Sequence, residues 1–159
     1  MDKLREVQLS TYRLFTLNGH ITYAKLLANY DGDTADIFFI YNEIPMRVKA
    51  RFYGYDCSEM KPPLNDPKRD EKKKKALMAK QRLWNLCTNT EDDKIPHKTL
   101  ILIKCGNYDK YGRLLITAFP EDFNISDKND KELFELSINN QMIMEGHGYP
   151  YEGGTKQDF

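Results

Sequence analysis

The chain has 159 residues, enough for one domain with its own core, and its 24 Lys and Arg balance its 24 Asp and Glu. That balance excludes a global field recruiting a polyanion, and the three cysteines, with no CxxC pair among them, exclude a disulfide framework and fit a reducing compartment. No apolar core of signal-peptide length stands in residues 1–10 and no run approaches a membrane span, so a soluble intracellular protein is expected. Charge is nevertheless segregated: residues 68–75 read Lys-Arg-Asp-Glu-Lys-Lys-Lys-Lys, while acids gather at residues 91–93 and again over 121–135.

Residues 1–20 form an N-terminal arm or extension, in which Tyr12, Leu14, Phe15 and Leu17 suit an edge strand or a packed arm closed by the turn pair Asn18-Gly19. Residues 21–29 read as a first strand, with Tyr23, Leu26 and Leu27 as its apolar members. Asp31-Gly32-Asp33-Thr34 follows, then an Ile- and Phe-rich run over residues 35–41. Asp-Gly between two β-like runs is the strongest short-range hairpin signal, so turn chemistry alone accounts for Asp31 and Asp33. Residues 42–45 make the next turn and residues 46–55 the third strand. There Val48, Ala50, Phe52 and Gly54 alternate with Lys49, Arg51, Tyr53 and Tyr55, which places Arg51 on one face with Tyr53 and Tyr55. Asp56 and Glu59 lie just beyond, where the alternation stops. A guanidinium on a strand can hold phosphate oxygens, and of two nearby acids one can hold a hard cation and the other position water.

Residues 60–70 carry Pro62, Pro63 and Pro67 and read as an exposed loop. The spacing of Ala76, Ala79, Leu83 and Leu86 or Cys87 predicts a helix over 71–87, with Leu77 and Trp84 beside that stripe. Lysines in its first turns oppose the macrodipole and suggest a frayed or ligand-facing start. Residues 88–97 are loop, 99–103 a buried strand, 105–110 a turn and 113–119 the partner strand. A polar loop covers 120–130, and Ser137 caps a helix running to Glu145, with Ile138, Met142 and Ile143 inward. Residues 133–136 suit either that helix or a short strand. Three strands, a helix, two strands and a helix make an α+β chain. Its five strands, in antiparallel hairpins, can close as an OB-fold barrel, a surface that commonly binds nucleic acid.

Three separated motifs carry a resemblance to a known family: Asp31-Gly32-Asp33-Thr34, then Arg51 with Asp56 and Glu59, then Asp109-Lys110-Tyr111-Gly112-Arg113. In that order, on those strands and turns, the chain from about Tyr23 to Tyr151 resembles the staphylococcal nuclease (thermonuclease-like) family, within a domain of residues 21–159. The resemblance implies an OB-fold domain and calcium-dependent hydrolysis of DNA or RNA phosphodiesters with little sequence preference. It also implies roles by position. Asp33, Asp56 and the backbone carbonyl of Cys57 would hold Ca2+. Glu59 would orient the attacking water, Arg51 and Arg113 would clamp the scissile phosphate, and Lys110 and Tyr111 would touch the neighbouring one. A late tyrosine, Tyr149 or Tyr151, would pack on a base.

The chain departs from the family in having Ser58 where a proline usually precedes the glutamate, and in lacking the family's third, basic helix after the second. The arm of residues 1–20, or a homo-oligomer, is expected to complete the fold instead. The alternative function is a nucleic-acid-binding OB module without catalysis. A structural interaction domain using the lysine-rich helix start ranks below it. His20, His97 and His147 are scattered and read as surface or packing residues, Cys57 lacks a basic partner, and Trp84 reads as core. Lys72 to Lys75 can steer substrate.

Overall fold

The computed structural model describes residues 2–8, 10 and 13–159. Tyr12, named above for an edge strand, lies outside them. The elements are α1 (Asp2–Arg5), β1 (Ile21–Asn29), β2 (Thr34–Tyr41), β3 (Ile44–Phe52), β4 (Tyr55–Asp56), α2 (Arg69–Thr88), β5 (Ile101–Tyr108), β6 (Leu114–Pro120), α3 (Asp130–Glu135), α4 (Ile138–Met144) and β7 (Tyr149–Pro150).

Five strands close a barrel in the order β1-β2-β3-β6-β5, and β4 pairs with β7 in a separate ribbon. The expectation of a wholly antiparallel barrel fails at one join: β3 and β6 run parallel, with Ala50 opposite Leu114 and Arg51 opposite Leu115. The reason is geometric. Strand direction can alternate all the way around a ring only when the strand number is even, so five strands leave one parallel neighbour.

Local chemistry sets the strand ends. Asn42 and Glu43 both take positive φ, 48° and 66°, so two residues suffice for the β2–β3 turn and β3 begins at Ile44 rather than Met46. A register shift between Leu26 and Ala28 turns Leu27 outward. Of the three apolar members expected in β1, Leu26 alone is buried, and Tyr23 and Leu27 are exposed. Gly54, at φ 88°, breaks the alternation that was expected to run on to Tyr55. Tyr55 is therefore inverted. It is fully buried, and its hydroxyl donates to the carbonyl of Gly32 at 2.7 Å. β5 likewise runs through the expected turn at Cys105, absorbing Gly106 and Asn107 in a second register shift.

Helix α2 lays Ala76, Ala79, Leu83, Trp84 and Cys87 on the core, while Leu77 faces solvent. Its contact with the β1–β2 turn is very close. A Cβ on Gly32 would lie 2.6 Å from the Ala79 Cβ and 2.7 Å from the Cys57 sulfur, so this position admits glycine alone. Residues 133–136 join neither α4 nor a strand: Leu133 to Glu135 end a separate helix, α3, with Leu136 as its C-cap, and α3 starts at a capping box in which Asn129 accepts from the Glu132 N–H and the Glu132 side chain accepts from the Asn129 N–H. Ser137 caps α4 as expected, accepting from the Asn140 N–H at 3.1 Å. In the first turn of α4, Asn139 is fully buried. It accepts from the Ala118 N–H and donates to the carbonyls of Tyr53 and Ile116, each at 2.9 Å, tying α4 to the end of β3 and to β6.

Of the N-terminal residues, Leu14 and Phe15 are exposed and Leu17 is buried in the core. Gly19 donates to the Cys105 carbonyl at 2.7 Å and Cys105 to that of His20 at 2.8 Å, so the end of this segment is stitched to β5. Among the described residues no helix is long and apolar enough to cross a membrane.

Candidate functional site

The β1–β2 turn divides its acids by task. The Asp31 carboxylate accepts the N–H groups of Asp33 and Thr34 at 3.0 and 2.7 Å, which is the turn role expected of an Asp there. Asp33 is thereby released to point inward, where it is buried and accepts the Thr34 hydroxyl at 3.0 Å. Arg51, on the outward face of β3, reaches it. Its guanidinium lies 2.5 Å from Asp33 through Nη1 and 2.9 Å from Asp56 through Nη2, and Nη2 also donates to the Tyr55 carbonyl at 2.9 Å. Asp56 is buried as well. Its Oδ2 accepts the Tyr149 hydroxyl at 2.9 Å, across the β4–β7 ribbon, and stands 3.1 Å from the Lys156 ammonium.

Two buried carboxylates thus share one guanidinium. Burial pushes the Asp33 carboxyl up, with Asp31 adding to the rise and Arg51 opposing it. Burial also works to raise Asp56, but the hydrogen bonds from Arg51 and Tyr149 outweigh it and hold that carboxyl below the usual range.

The third motif arrives from the β5–β6 turn. Asp109 accepts the N–H groups of Tyr111 and Arg113 through Oδ1, both at 2.9 Å, and the Arg113 Nε–H through Oδ2 at 2.7 Å. Held this way, the Arg113 guanidinium stands 3.4 Å from the Thr34 hydroxyl, one residue from Asp33. It also lies over the Tyr111 ring, 5.2 Å from the centroid, with the Lys110 ammonium at 5.1 Å from the same ring. A cavity of about 740 Å³ opens here, lined among others by Arg51, Lys110, Tyr111, Arg113, Tyr151 and Lys156.

Seven of the expected residues therefore meet: Arg51, Asp33, Asp56, Arg113, Lys110, Tyr111 and Tyr151 stand on or directly beneath one cavity. The two late tyrosines separate. Tyr149 is buried as a partner of Asp56, and Tyr151 lines the opening. Glu59 is exposed and does not line the cavity. Directly before it, Ser58 donates to the Phe159 carbonyl at 2.7 Å, so this turn is tied to the end of the described chain. The Cys57 side chain is buried against Gly32, and burial pushes its thiol far up.

As donors for a hard cation, two carboxylates on turns are chemically suitable. In the present arrangement, however, Arg51 bridges them and Lys156 takes one Asp56 oxygen. Among the described residues no group of three or more His, Cys, Asp or Glu is placed to hold a metal. A cation would have to share or displace these internal positive groups. Sequence reasoning missed Thr34, the inward turn of Tyr149 and Lys156. The one signal for Lys156 was the Gly153-Gly154 pair, which marks a chain reversal after Tyr151. No protein-family model and no curated protein matches the chain.

Proposed function

We propose that this protein hydrolyses nucleic-acid phosphodiesters in the manner of the staphylococcal nucleases, on a barrel of the OB type and with Ca2+ as its ion. The observation that carries the reading is the convergence of three remote segments, through Asp33, Arg51 with Asp56, and Arg113, on one cavity rimmed by Lys110 and Tyr111. Strand order β1-β2-β3-β6-β5 with a helix inserted before the last two barrel strands supports the OB assignment.

Two guanidinium groups and an ammonium facing one opening suit a phosphodiester, whose charge grows at the equatorial oxygens as the water attacks. Arg113, oriented by Asp109, and Arg51, oriented by the two acids, supply fixed donors for those oxygens. Ca2+, held by Asp33, Asp56 and the Cys57 carbonyl, would polarise a phosphoryl oxygen and acidify nearby water. Glu59 is assigned the proton of that water on the resemblance alone. Tyr111 and Tyr151 offer ring faces to a base or sugar.

A second reading, a nucleic-acid-binding barrel without hydrolysis, draws on the internal cations already seated on Asp33 and Asp56 and on the position of Glu59 off the cavity. Cleavage of single-stranded DNA and RNA in Ca2+ and then in chelator decides between them. Calcium-dependent cleavage, reduced about 100- to 1,000-fold in Arg113→Met, is expected for the hydrolase. Chelator-insensitive cleavage, or full activity in Glu59→Gln, overturns the calcium mechanism, and binding without cleavage establishes the second reading.

A further inference from the structure

We infer that Lys156 is a substrate-phosphate contact, delivered to the cavity by a prefolded tail; this rests on the nucleic-acid reading above. The tail is held on both sides of Lys156. Before it, Gly153 and Gly154 both take positive φ, 111° and 101°, and reverse the chain, while the Tyr151 hydroxyl donates to the Gly154 carbonyl at 3.0 Å. After it, the Gln157 N–H donates to the Tyr149 hydroxyl at 3.1 Å, and the Phe159 ring lies 5.1 Å from the Tyr149 ring with the Lys75 ammonium over its face. Asp158 pairs with Lys72 on α2. A segment fixed at this many points loses little further freedom when a ligand arrives, which is how preorganisation favours binding.

The pairing of Lys156 with Asp56 does not use the ammonium up. Asp56 is already satisfied without it, accepting Arg51 on Oδ1 and Tyr149 on Oδ2. Lys156 keeps 53% of its side chain exposed, and it lines the same opening as Arg113 and Lys110. By contrast, the Arg51 side chain is 12% exposed and each of its Nη atoms already contacts a carboxylate, while Arg113 gives its Nε to Asp109. An ammonium carries three donors, so Lys156 can hold Asp56 with one and meet a phosphate oxygen with another.

The test is fluorescence anisotropy of a labelled single-stranded oligothymidylate in chelator, titrated at several salt concentrations against wild type, Lys156→Met, Lys156→Arg and Arg113→Met. Lys156→Met is expected to weaken binding about tenfold, as for loss of one charged hydrogen bond. Its salt slope should fall by about 0.7, the value for one phosphate contact on a single strand. Lys156→Arg should restore most of the affinity. If Lys156→Met binds like wild type with the same slope while Arg113→Met is weakened, the inference is overturned and the nucleic-acid reading stands. Tighter Ca2+ binding by Lys156→Met in calorimetry, with oligonucleotide affinity unchanged, also overturns it and makes the lysine a plug on the carboxylates. Absence of any binding by wild type removes the nucleic-acid reading, and the inference with it.

Discussion

Arg51 holds two buried acids with the same guanidinium that the proposed chemistry aims at phosphate. Removing it leaves Asp33 and Asp56 facing each other with their largest compensating charge gone. Arg51→Met should therefore cost about 3 kcal/mol of stability in urea unfolding, the usual result of taking one partner from a buried pair. Arg51→Lys should recover only part, since a single ammonium cannot span both carboxylates as the planar fork does. This cluster was legible in the sequence because each member sits at a turn or strand end where an acid or arginine is conspicuous. Lys156 was not. Its contact with Asp56 spans 100 positions along the chain, and no local pattern marks a lysine after a glycine turn as directed inward. Glu59 was conspicuous in the sequence for the same reason as Asp56, yet Ser58 ties its turn to Phe159 and the side chain stays outside the cavity.

Elements were legible where the side-chain period is uninterrupted. β1 as far as Leu26 and the heart of β2, β3 and β6 follow their alternation, and α2 follows its apolar stripe. The readings failed where one residue resets the period: the extra residue at Leu27, and Gly54, whose backbone turns Tyr55 from the expected surface into the core. Asn139 was invisible for another reason, since a polar residue in an apolar helix face reads as surface until its three backbone partners are known. Between α2 and α4 the link is ionic. Arg82 grips Glu145 with Nε at 2.6 Å and Nη2 at 2.8 Å, and these hydrogen bonds pull the Glu145 carboxyl down to about 2. Because the folded value lies below that of the unfolded chain, the pair contributes fully above about pH 4.3 and its contribution fades as pH falls toward about 2. The site is partly solvated, so about 1 kcal/mol is the expected size. Thermal melts of wild type and Glu145→Gln should differ near neutral pH and converge in strong acid; parallel curves throughout would remove the Arg82 link from the account.

At the scale of the whole molecule, the balance of charge means that long-range attraction for a polyanion is weak, and recognition has to come from the cavity rim. The proposed calcium site is testable through stability, because an ion bound to the folded chain alone raises it. If the two acids take up the ion when folded and not when unfolded, Ca2+ at about 100 times its Kd should add about 2.7 kcal/mol, reversed by chelator. A melting temperature indifferent to Ca2+ would count against the calcium assignment while leaving the barrel untouched. The five barrel strands and their closure were readable from the hairpin signals, whereas the parallel direction of the closing β3–β6 pair was not, because it joins segments with a whole helix between them.

That closure has an effect on chemistry. β6 begins beside the end of β3, so the parallel pair is short, Ala50 to Phe52 against Leu114 to Ile116, and residues in register across it show their side chains on the same surface. Arg113 stands just ahead of β6 and two positions before Leu115, the partner of Arg51, so both guanidinium groups emerge side by side from one seam of the wall. Had the two strands overlapped along their full lengths, the start of β6 would lie beside the start of β3, and Arg113 would stand at the far rim from Arg51.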